Sequence, residues 1–189
     1  MRNLSYLTTQ CGDADEYELA MTLAGDFARA NHEVIHARIA KALGGETLGV
    51  LQNHHNFAWR VEQGEKRPPV YIHRKGATPA SAGVLGIIPG SMATPGFFVE
   101  GNCAPEQDIL SHPSLNSASH GSGRVLGRRQ AIKKLNARDV RSQLKQRGVT
   151  LLGGGLDEAP NAYKDSRQVL AAQADLVNDW AEYQPAIVR

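Results

Sequence analysis

The longest regular pattern in the sequence is a helical repeat of apolar residues between positions 13 and 44. Its apolar members fall close to one stripe: Leu19, Leu23, Phe27, Ala30, Val34 and Ile39. Asp13 or Asp15 can cap the start of such a helix, and the pair Gly44-Gly45 ends it. The pattern predicts one long amphipathic helix whose stripe packs against the rest of the protein.

Short apolar runs follow this helix, and most of them end in a turn rich in glycine, proline or polar residues. They predict strands at residues 48–51, 70–73, 84–88, 97–99 and 185–189. Further helices are predicted at 130–147, which is basic, and at 169–180, which is amphipathic. Mixed strands with long helices packed outside them indicate the α+β class. A chain of 189 residues is long enough for one domain with its own core.

Composition narrows the class of protein. A hydrophobic content of 41% and a charged content of 21% are those of a soluble globular protein. Cys11 and Cys103 are too few for a disulfide framework, and no apolar leader or membrane-length run is seen, so the cytoplasm is the expected compartment.

Between Arg124 and Arg147, Lys and Arg are frequent and Asp139 is the only acid. This excess suits a polyanionic partner, although a solvated basic helix face would have the same pattern.

The strongest chemical signal is the segment S-H-G-S-G-R at residues 119–124, which Arg128 and Arg129 follow. Glycines let backbone N–H groups approach a ligand closely, and such loops bind phosphate oxygens. Arginine adds a planar fork that binds phosphate with two hydrogen bonds. A histidine held there, His120, could attack phosphorus or ligate a metal. The alternative is a Gly/Ser turn before a helix, with His120 merely near the surface.

Other predicted strand ends also carry donors. The segment Q-N-H-H-N-F at 52–57 suits a metal such as Mn, Fe or Zn, or is a polar loop whose histidines form hydrogen bonds to the backbone. Arg74 and Lys75 precede a glycine, which favours phosphate, and the turn P-G-S-M at 89–92 could present backbone donors and a hydroxyl. His32 and His36 lie one helical turn apart, but no third ligand accompanies them, so we interpret them as ordinary helix residues.

The sequence resembles the RtcB family of GTP-dependent RNA ligases in several motifs that occur in the family's order. These are H-H-N-F at 54–57, H-R-K-G-A-T-P-A at 73–80, G-I-I-P-G-S-M at 86–92, S-H-G-S-G-R at 119–124, A-Y-K-D at 162–165 and A-A-Q-A-D-L-V at 171–177. The resemblance runs from about Tyr6 to the last residue. It implies that residues 1–189 are the C-terminal portion of a single RtcB-like catalytic domain.

The resemblance also implies an activity. RtcB enzymes join RNA with a 3′-phosphate or 2′,3′-cyclic phosphate end to RNA with a 5′-hydroxyl end, in tRNA splicing or RNA repair. GTP and Mn²⁺ would be the cofactors, and tRNA halves or broken RNA the substrate. His120 would attack the α-phosphate of GTP and become guanylylated; GMP would then pass to the RNA 3′-phosphate, and the 5′-hydroxyl would displace it.

Individual positions receive roles from the same resemblance. His55 matches a metal-ligand histidine, Asn56 a nucleotide-phosphate contact, and Tyr163 a tyrosine near the guanine. Arg124 and Arg128 match arginines that hold RNA or anion phosphates. The guanylate-binding turn and the nucleophile loop are matched by Pro89, Gly90, Ser91 and Met92 and by His120, Gly121, Ser122 and Gly123. Two further guanylate-binding positions depart from the family's usual serine and lysine: Gly96 and Arg189.

One departure from the family is larger. RtcB enzymes complete their manganese site with a D-x-x-C-G motif and further histidines in an upstream half, and the sequence has no such motif. Cys11 is followed by Gly12, but Thr8 stands where the aspartate would be. The sequence therefore predicts an incomplete domain that works with a missing N-terminal half. The alternative is a non-catalytic remnant that binds guanine nucleotide or RNA.

Overall fold

The computed structural model describes residues 7–8, 11–54, 56–64 and 67–189. Helices and several small sheets share this part of the chain, which confirms the α+β class. The α-helices are α1 (Gly12–Leu43), α2 (Arg128–Lys134), α3 (Ala137–Gln146) and α4 (Ser166–Ala171). The first five strands are β1 (Asn56–Val61), β2 (Val70–Lys75), β3 (Ala77–Pro79), β4 (Leu85–Ile88) and β5 (Gly96–Gly101). The last four are β6 (Ser117–Ser119), β7 (Thr150–Leu151), β8 (Val177–Tyr183) and β9 (Ile187–Val188). Short 3-10 helices lie at Glu106–Ser111, Leu156–Glu158 and Pro160–Ala162.

The strands form small sheets. In the largest of them β5 is central, antiparallel to β4 on one side and to β8 on the other. β1 and β2 form an antiparallel hairpin, β3 pairs antiparallel with β6, and β7 pairs parallel with β9. The turn after β4 and the loop after β6 are therefore both held by strand pairing.

The main core lies against β5. Phe97 and Val99 of this strand are 1% exposed and pack with Ile88 of β4 and Val177 of β8. A second cluster lies under α3, which buries Val140 and Leu144, four residues apart on one face. The described chain beyond α1 therefore has two hydrophobic clusters, one against β5 and one under α3.

Helix α1 confirms the predicted helix and differs from the prediction in its packing. Among its residues only Gly25 is buried, where the Phe57 and His54 rings lie against it. Leu19, Leu23 and Phe27 are exposed by 72%, 70% and 73%. The expectation that the stripe packs against the protein is therefore not met within the described residues.

Three sequence predictions of secondary structure are wrong. Residues 48–51 form no strand. The helix predicted at 130–147 is two helices, because Leu135 is extended and the Asn136 side chain accepts a hydrogen bond from the Arg138 N–H to cap a new helix. The helix predicted at 169–180 ends at residue 171, because residues 177–183 form β8 and pair with β5. Tertiary pairing here overrides the local helical spacing. The strand predicted at 185–189 is confirmed as β9.

Over the described residues, no helix combines the length and the apolar character that crossing a membrane requires. The cytoplasm as compartment stays a prediction from the sequence.

Replacing Phe97 with alanine tests the main core. The substitution removes a fully buried ring from the middle of the β4–β5–β8 sheet, and we expect it to lower the free energy of unfolding by about 3–5 kcal/mol. Urea denaturation followed by circular dichroism measures this loss. Leu152→Ala is the control, because Leu152 is 69% exposed and its truncation should change stability by no more than about 0.5 kcal/mol. Equal losses of stability for both variants would contradict this account of the core.

Candidate functional site

The loop that begins at His120 is held by backbone hydrogen bonds on both sides. The His120 N–H donates to the Gly76 carbonyl at 3.3 Å, which continues the β3–β6 pairing, and the Ser119 hydroxyl donates to the Gly121 carbonyl at 2.7 Å. A Cβ built on Gly76 would lie 3.9 Å from His120 Nε2, so the imidazole lies beside this glycine. Gly76 has φ of +80°, a conformation that glycine adopts without strain. The pairing of β3 with β6 therefore places the His120 imidazole beside the tight turn between β2 and β3.

A buried glutamine supports the same loop from a distant part of the chain. Gln173 is 6% exposed, and its Oε1 accepts a hydrogen bond from the Ser119 N–H at 2.8 Å. Its Nε2 is buried and has no hydrogen-bond partner among the described residues. The sequence motif at 171–177 contains this residue, but nothing in the motif indicated that it holds the histidine loop.

The histidine loop touches the turn at 89–92. The Ser122 N–H donates to the Pro89 carbonyl at 3.3 Å, and a Cβ on Gly121 would lie 3.4 Å from that same oxygen. Ser122 is buried, and its hydroxyl has no hydrogen-bond partner in the described part of the chain. The structure thus brings together two loops that the sequence predicted separately.

The turn itself is closed by short-range hydrogen bonds. The Ser91 N–H donates to Thr94 Oγ1 at 2.8 Å, and the Thr94 hydroxyl donates to Ser91 Oγ at 2.9 Å. A Cβ on Gly90 would lie 2.1 Å from the Pro95 carbonyl oxygen, so only glycine fits there. Gly96 is restricted for another reason, because a Cβ there would lie 2.3 Å from the Tyr183 ring. Tyr183 therefore occupies the space that a serine at position 96 would need.

A cavity of about 490 Å³ opens above this turn. Its walls come from the turn, from β8 and from the C-terminal segment, and two tyrosine side chains and a carboxylate face it. It is lined by Pro89, Gly90, Ser91, Met92, Thr94, Gly96, Glu158, Tyr163, Tyr183, Pro185, Val188 and Arg189. The predicted guanylate-binding residues of the turn, together with Gly96, Tyr163 and Arg189, all line this one cavity. Pockets of this size hold small organic ligands and cofactors.

Arg124 lies beside Tyr163 at the edge of this cavity. Its guanidinium carbon is 4.8 Å from the centre of the Tyr163 ring, and its Nη1 donates to the Tyr163 hydroxyl at 2.9 Å. It also donates to the backbone carbonyls of Leu126 and Asp157. These contacts give Arg124 two roles: it holds Tyr163 in place, and it is placed to donate to a ligand.

Arg128 is more accessible. Its side chain is 65% exposed, and it donates to Asp157 Oδ2 at 2.6 Å and to Glu158 Oε1. Hydrogen bonds to Asp157 and Glu158 raise the pKa of Arg128 above its ordinary value. Burial, and then the hydrogen bond that the Tyr163 hydroxyl donates to Glu158, raise the pKa of Tyr163. An incoming phosphate would have to compete with two carboxylates for Arg128.

The structure corrects the interpretation of Arg74 as a phosphate-binding cation. Arg74 is 3% exposed, and burial lowers its pKa. It donates to Ser117 Oγ at 2.8 Å and to the Leu115 carbonyl at 3.0 Å, and its guanidinium carbon is 4.7 Å from the centre of the Trp59 ring. Leu115 and Asn116 have positive φ, so Arg74 holds a strained turn directly before β6. Its role is structural.

The predicted metal-binding segment is described only in part. His55 lies outside the described residues. Asn56 begins β1, and its Oδ1 lies 2.9 Å from His73 Nε2, away from the cavity above the turn. Asn53 Oδ1 accepts a hydrogen bond from the Ile87 N–H at 3.1 Å and so ties this segment to β4. The structure does not bring Asn56 to the guanylate-binding residues.

A manganese site is not closed by the residues that the structure describes. They contain no group of three or more His, Cys, Asp or Glu side chains able to hold a metal ion. His32 and His36 have ring centres 6.0 Å apart, consistent with ordinary neighbours on a helix. The donor set present here therefore does not fit a two-metal centre.

Sequence reasoning missed several residues of the site. Glu158 and Tyr183 line the cavity, and Gln173 accepts a hydrogen bond from the Ser119 N–H of the histidine loop. Glu158 lies five residues before Tyr163, in a segment that the sequence predicted as a turn. The one sequence signal that could have pointed to it was its acidic neighbour, Asp157.

Comparison with known proteins gives the class and the family. The structure is that of an α+β protein in which the histidine loop contacts the turn at 89–92, and this turn, without residues 119–124, lines the cavity. The family model for tRNA-splicing ligase RtcB matches residues 1–189. The chain belongs to the RtcB family.

Curated relatives cover nearly all of this chain. It is 33% identical to RNA-splicing ligase RtcB of Escherichia coli K12 in an alignment 188 positions long that covers 93% of this chain and 44% of the relative. It is 31% identical to RNA-splicing ligase RtcB of Mycobacterium tuberculosis H37Rv, over 90% of this chain and 43% of the relative. It is 29% identical to tRNA-splicing ligase RtcB of Thermococcus kodakarensis, over 97% and 43%. The chain thus spans less than half the length of these relatives.

Replacing Gln173 with leucine tests the support of the histidine loop. The change leaves the half-buried Ser119 N–H without an acceptor, and we expect a decrease of about 1–3 kcal/mol in the free energy of unfolding. Hydrogen exchange measured by NMR should become faster at the Ser119 and His120 amides than in the wild type. The matched control is Gln168→Leu, because the Gln168 side chain is exposed. Unchanged exchange at Ser119 in the Gln173 variant would contradict the assigned role.

Proposed function

We propose that this chain forms the nucleotide-binding and nucleophile part of a GTP-dependent RNA ligase. The reaction joins RNA 3′-phosphate or 2′,3′-cyclic phosphate ends to 5′-hydroxyl ends, in tRNA splicing or RNA repair. The observation that carries the proposal is the contact between the two loops: the Ser122 N–H donates to Pro89, and the turn that begins at Pro89 lines the cavity. The names of the relatives, RNA-splicing and tRNA-splicing ligase, support the same class of reaction.

The cavity has the chemistry that a guanine nucleotide requires. Tyr163 and Tyr183 supply aromatic rings beside which a purine can stack. Glu158 is an acceptor for N–H groups of a base, and Arg189 is a donor at the exposed end of the chain. The backbone N–H groups of the glycine-rich loops are suited to phosphate oxygens.

His120 is proposed to be the nucleophile. An imidazole nitrogen attacks the α-phosphorus of GTP, a P–N bond forms, and the bond between the α-phosphorus and its bridging oxygen breaks, so that pyrophosphate leaves. GMP is then transferred from His120 to the RNA 3′-phosphate, and the RNA 5′-hydroxyl attacks that phosphate with release of GMP. The hydrogen bonds at Ser119, His120 and Gly121 restrict the loop, which reduces the ordering needed before attack.

Mn²⁺ belongs to the proposal as a cofactor whose ligands this chain does not fully supply. His55 is the matched metal-ligand position, and further ligands are proposed to come from an N-terminal half of the RtcB type. When bound, Mn²⁺ would orient the nucleotide and neutralise developing charge.

Labelling with α-³²P-GTP tests the nucleophile. We expect the wild-type chain incubated with labelled GTP and Mn²⁺ to retain acid-labile label, because a phosphoramidate hydrolyses in acid, and His120→Ala to retain none. His36→Ala is the control, since His36 is exposed on α1, and it should be labelled like the wild type. Label on His120→Ala would overturn the assignment. No label on the wild type would mean that the metal ligands which this chain does not supply are required, so that the chain alone is a half-enzyme or the binding remnant that follows.

The alternative is a non-catalytic remnant that binds guanine nucleotide or RNA. It is favoured by one specific observation, the run of exposed cations on α2, on α3 and at the end of α3: Arg129, Lys133, Lys134, Arg138, Arg141, Lys145 and Arg147. Such a surface binds polyanions whether or not the chemistry at His120 occurs.

RNA affinity as a function of salt tests this basic surface. We expect the logarithm of the affinity for single-stranded RNA to fall linearly with the logarithm of salt concentration. Arg138→Ala, Arg141→Ala and Lys145→Ala combined should reduce the slope by about 2, because each RNA phosphate that a cation neutralises adds roughly 0.7 to it. The matched control combines Arg29→Ala, Arg38→Ala and Lys41→Ala on α1 and should keep the wild-type slope. Equal slopes for both triple variants would rule out α3 as the RNA-binding surface.

A further inference from the structure

The Tyr183 side chain lies in the wall of the cavity above the turn at 89–92, and its position there is fixed by two contacts. Tyr183 is the cross-strand partner of Gly96 at the end of the β5–β8 pairing. A Cβ on Gly96 would lie 2.3 Å from the Tyr183 hydroxyl oxygen, so the tip of the ring lies over the Gly96 backbone. The Phe98 ring, from the same strand as Gly96, packs against the Tyr183 ring with 5.3 Å between the ring centres. These contacts hold the ring and, with it, the hydroxyl.

The Tyr183 hydroxyl is available to a ligand. Among the residues that the structure describes, its oxygen has no hydrogen-bond partner, although the residue is half-buried. Burial raises the pKa of Tyr183 above its ordinary value, so the hydroxyl stays protonated at neutral pH. A protonated phenol in a cavity wall can donate a hydrogen bond to a bound molecule.

Most other polar side chains in this wall already bind the protein. The Thr94 hydroxyl donates to Ser91 Oγ at 2.9 Å and accepts from the Ser91 N–H at 2.8 Å. The Tyr163 hydroxyl donates to Glu158 and accepts from Arg124 Nη1 at 2.9 Å. Both carboxylate oxygens of Glu158 accept hydrogen bonds from the protein. These groups are therefore engaged before a ligand arrives.

Tyr183 and Arg189 remain as donors in the described wall of the cavity. A guanidinium can only donate, and a phenol can donate as well. Two donors in one cavity suit the edge of a base that carries two neighbouring acceptors. Guanine presents O6 and N7 on such an edge, and hypoxanthine shares both atoms, whereas adenine presents an N6 donor beside N7.

We propose that the Tyr183 hydroxyl is a specificity-determining contact, which donates to the 6-oxo edge of a purine and so selects a 6-oxopurine nucleotide over an adenine nucleotide. This inference rests on the proposed function, and it adds the residue that distinguishes the base. The alternative is that Tyr183 only covers Gly96, since an aromatic ring can compensate for a glycine on a neighbouring strand. Phenylalanine at this position separates the two roles, because it keeps the ring and removes only the hydroxyl.

Binding of purine monophosphates to the full chain tests this contact. Equilibrium dialysis without metal measures the dissociation constants of GMP, IMP and AMP, and the wild type should bind GMP and IMP more tightly than AMP. We expect Tyr183→Phe to raise the dissociation constants of GMP and IMP by about three- to tenfold, the effect of one lost neutral hydrogen bond, and that of AMP by less than about twofold. Tyr17→Phe is the matched control, because Tyr17 is 63% exposed on α1, and it should bind all three nucleotides like the wild type.

Several outcomes would overturn the proposal. Equal GMP binding by the wild type and Tyr183→Phe would do so and would leave the proposed function in place. An equal loss of affinity for AMP would indicate an effect on stacking, and a loss for GMP alone would place the hydroxyl at the 2-amino group; either result contradicts a contact to the 6-oxo edge. A lower unfolding temperature of Tyr183→Phe would show that the hydroxyl serves the fold instead.

The same experiment separates this inference from the proposed function. Monophosphates carry no pyrophosphate leaving group, so their binding is measured independently of attack by His120. GMP binding by a chain that labelled GTP does not modify would count against the nucleophile and not against Tyr183. Absence of GMP binding by the wild type, even at millimolar concentration, would overturn both this inference and the nucleotide-binding part of the proposed function.

Discussion

The pairing of β5 with β4 and β8 is the constraint on which the site depends. β4 ends directly before Pro89, and β5 begins at Gly96, so the two strands fix both ends of the turn that lines the cavity. β8 brings Tyr183 against Gly96 and leads into the C-terminal segment. The same core buries Phe97 and Val99, so the stability of the sheet and the shape of the site have one physical origin.

The charged residues around the cavity are largely paired with one another. Arg124 supports Tyr163, and Arg128 is held by Asp157 and Glu158. Because the Arg128 side chain is exposed, its ion pairs contribute little to stability, so the protein loses little stability when a phosphate displaces the two carboxylates from Arg128. Pairing instead keeps the arginines and the tyrosine in place before a ligand arrives, which is useful where a nucleotide must be oriented for attack.

Much of the site was predictable because its motifs are local. The turn at 89–92 and the loop at 119–123 were identified from residues whose backbone and side-chain chemistry is evident in a few adjacent positions, and Tyr163 was identified through the family resemblance. Arg74 was misassigned because sequence spacing does not show burial, and the helix expected at 169–180 was wrong because a neighbouring strand was available for pairing. Gln173 and Glu158 were missed because their roles depend on contacts with residues far along the chain, Ser119 for Gln173 and Arg128 for Glu158.

The sequence by itself determined the α+β class, the long helix α1, the family resemblance and the two loops that carry the proposed chemistry. Tertiary structure alone decided that Pro89 and Ser122 meet, that Gly96 lies under Tyr183, and that the stripe of α1 is uncovered. The physical reason is the range of the interactions. Helical periodicity, glycine conformations and side-chain chemistry act over a few residues, whereas burial and loop-to-loop hydrogen bonds depend on which distant segments the strands bring together.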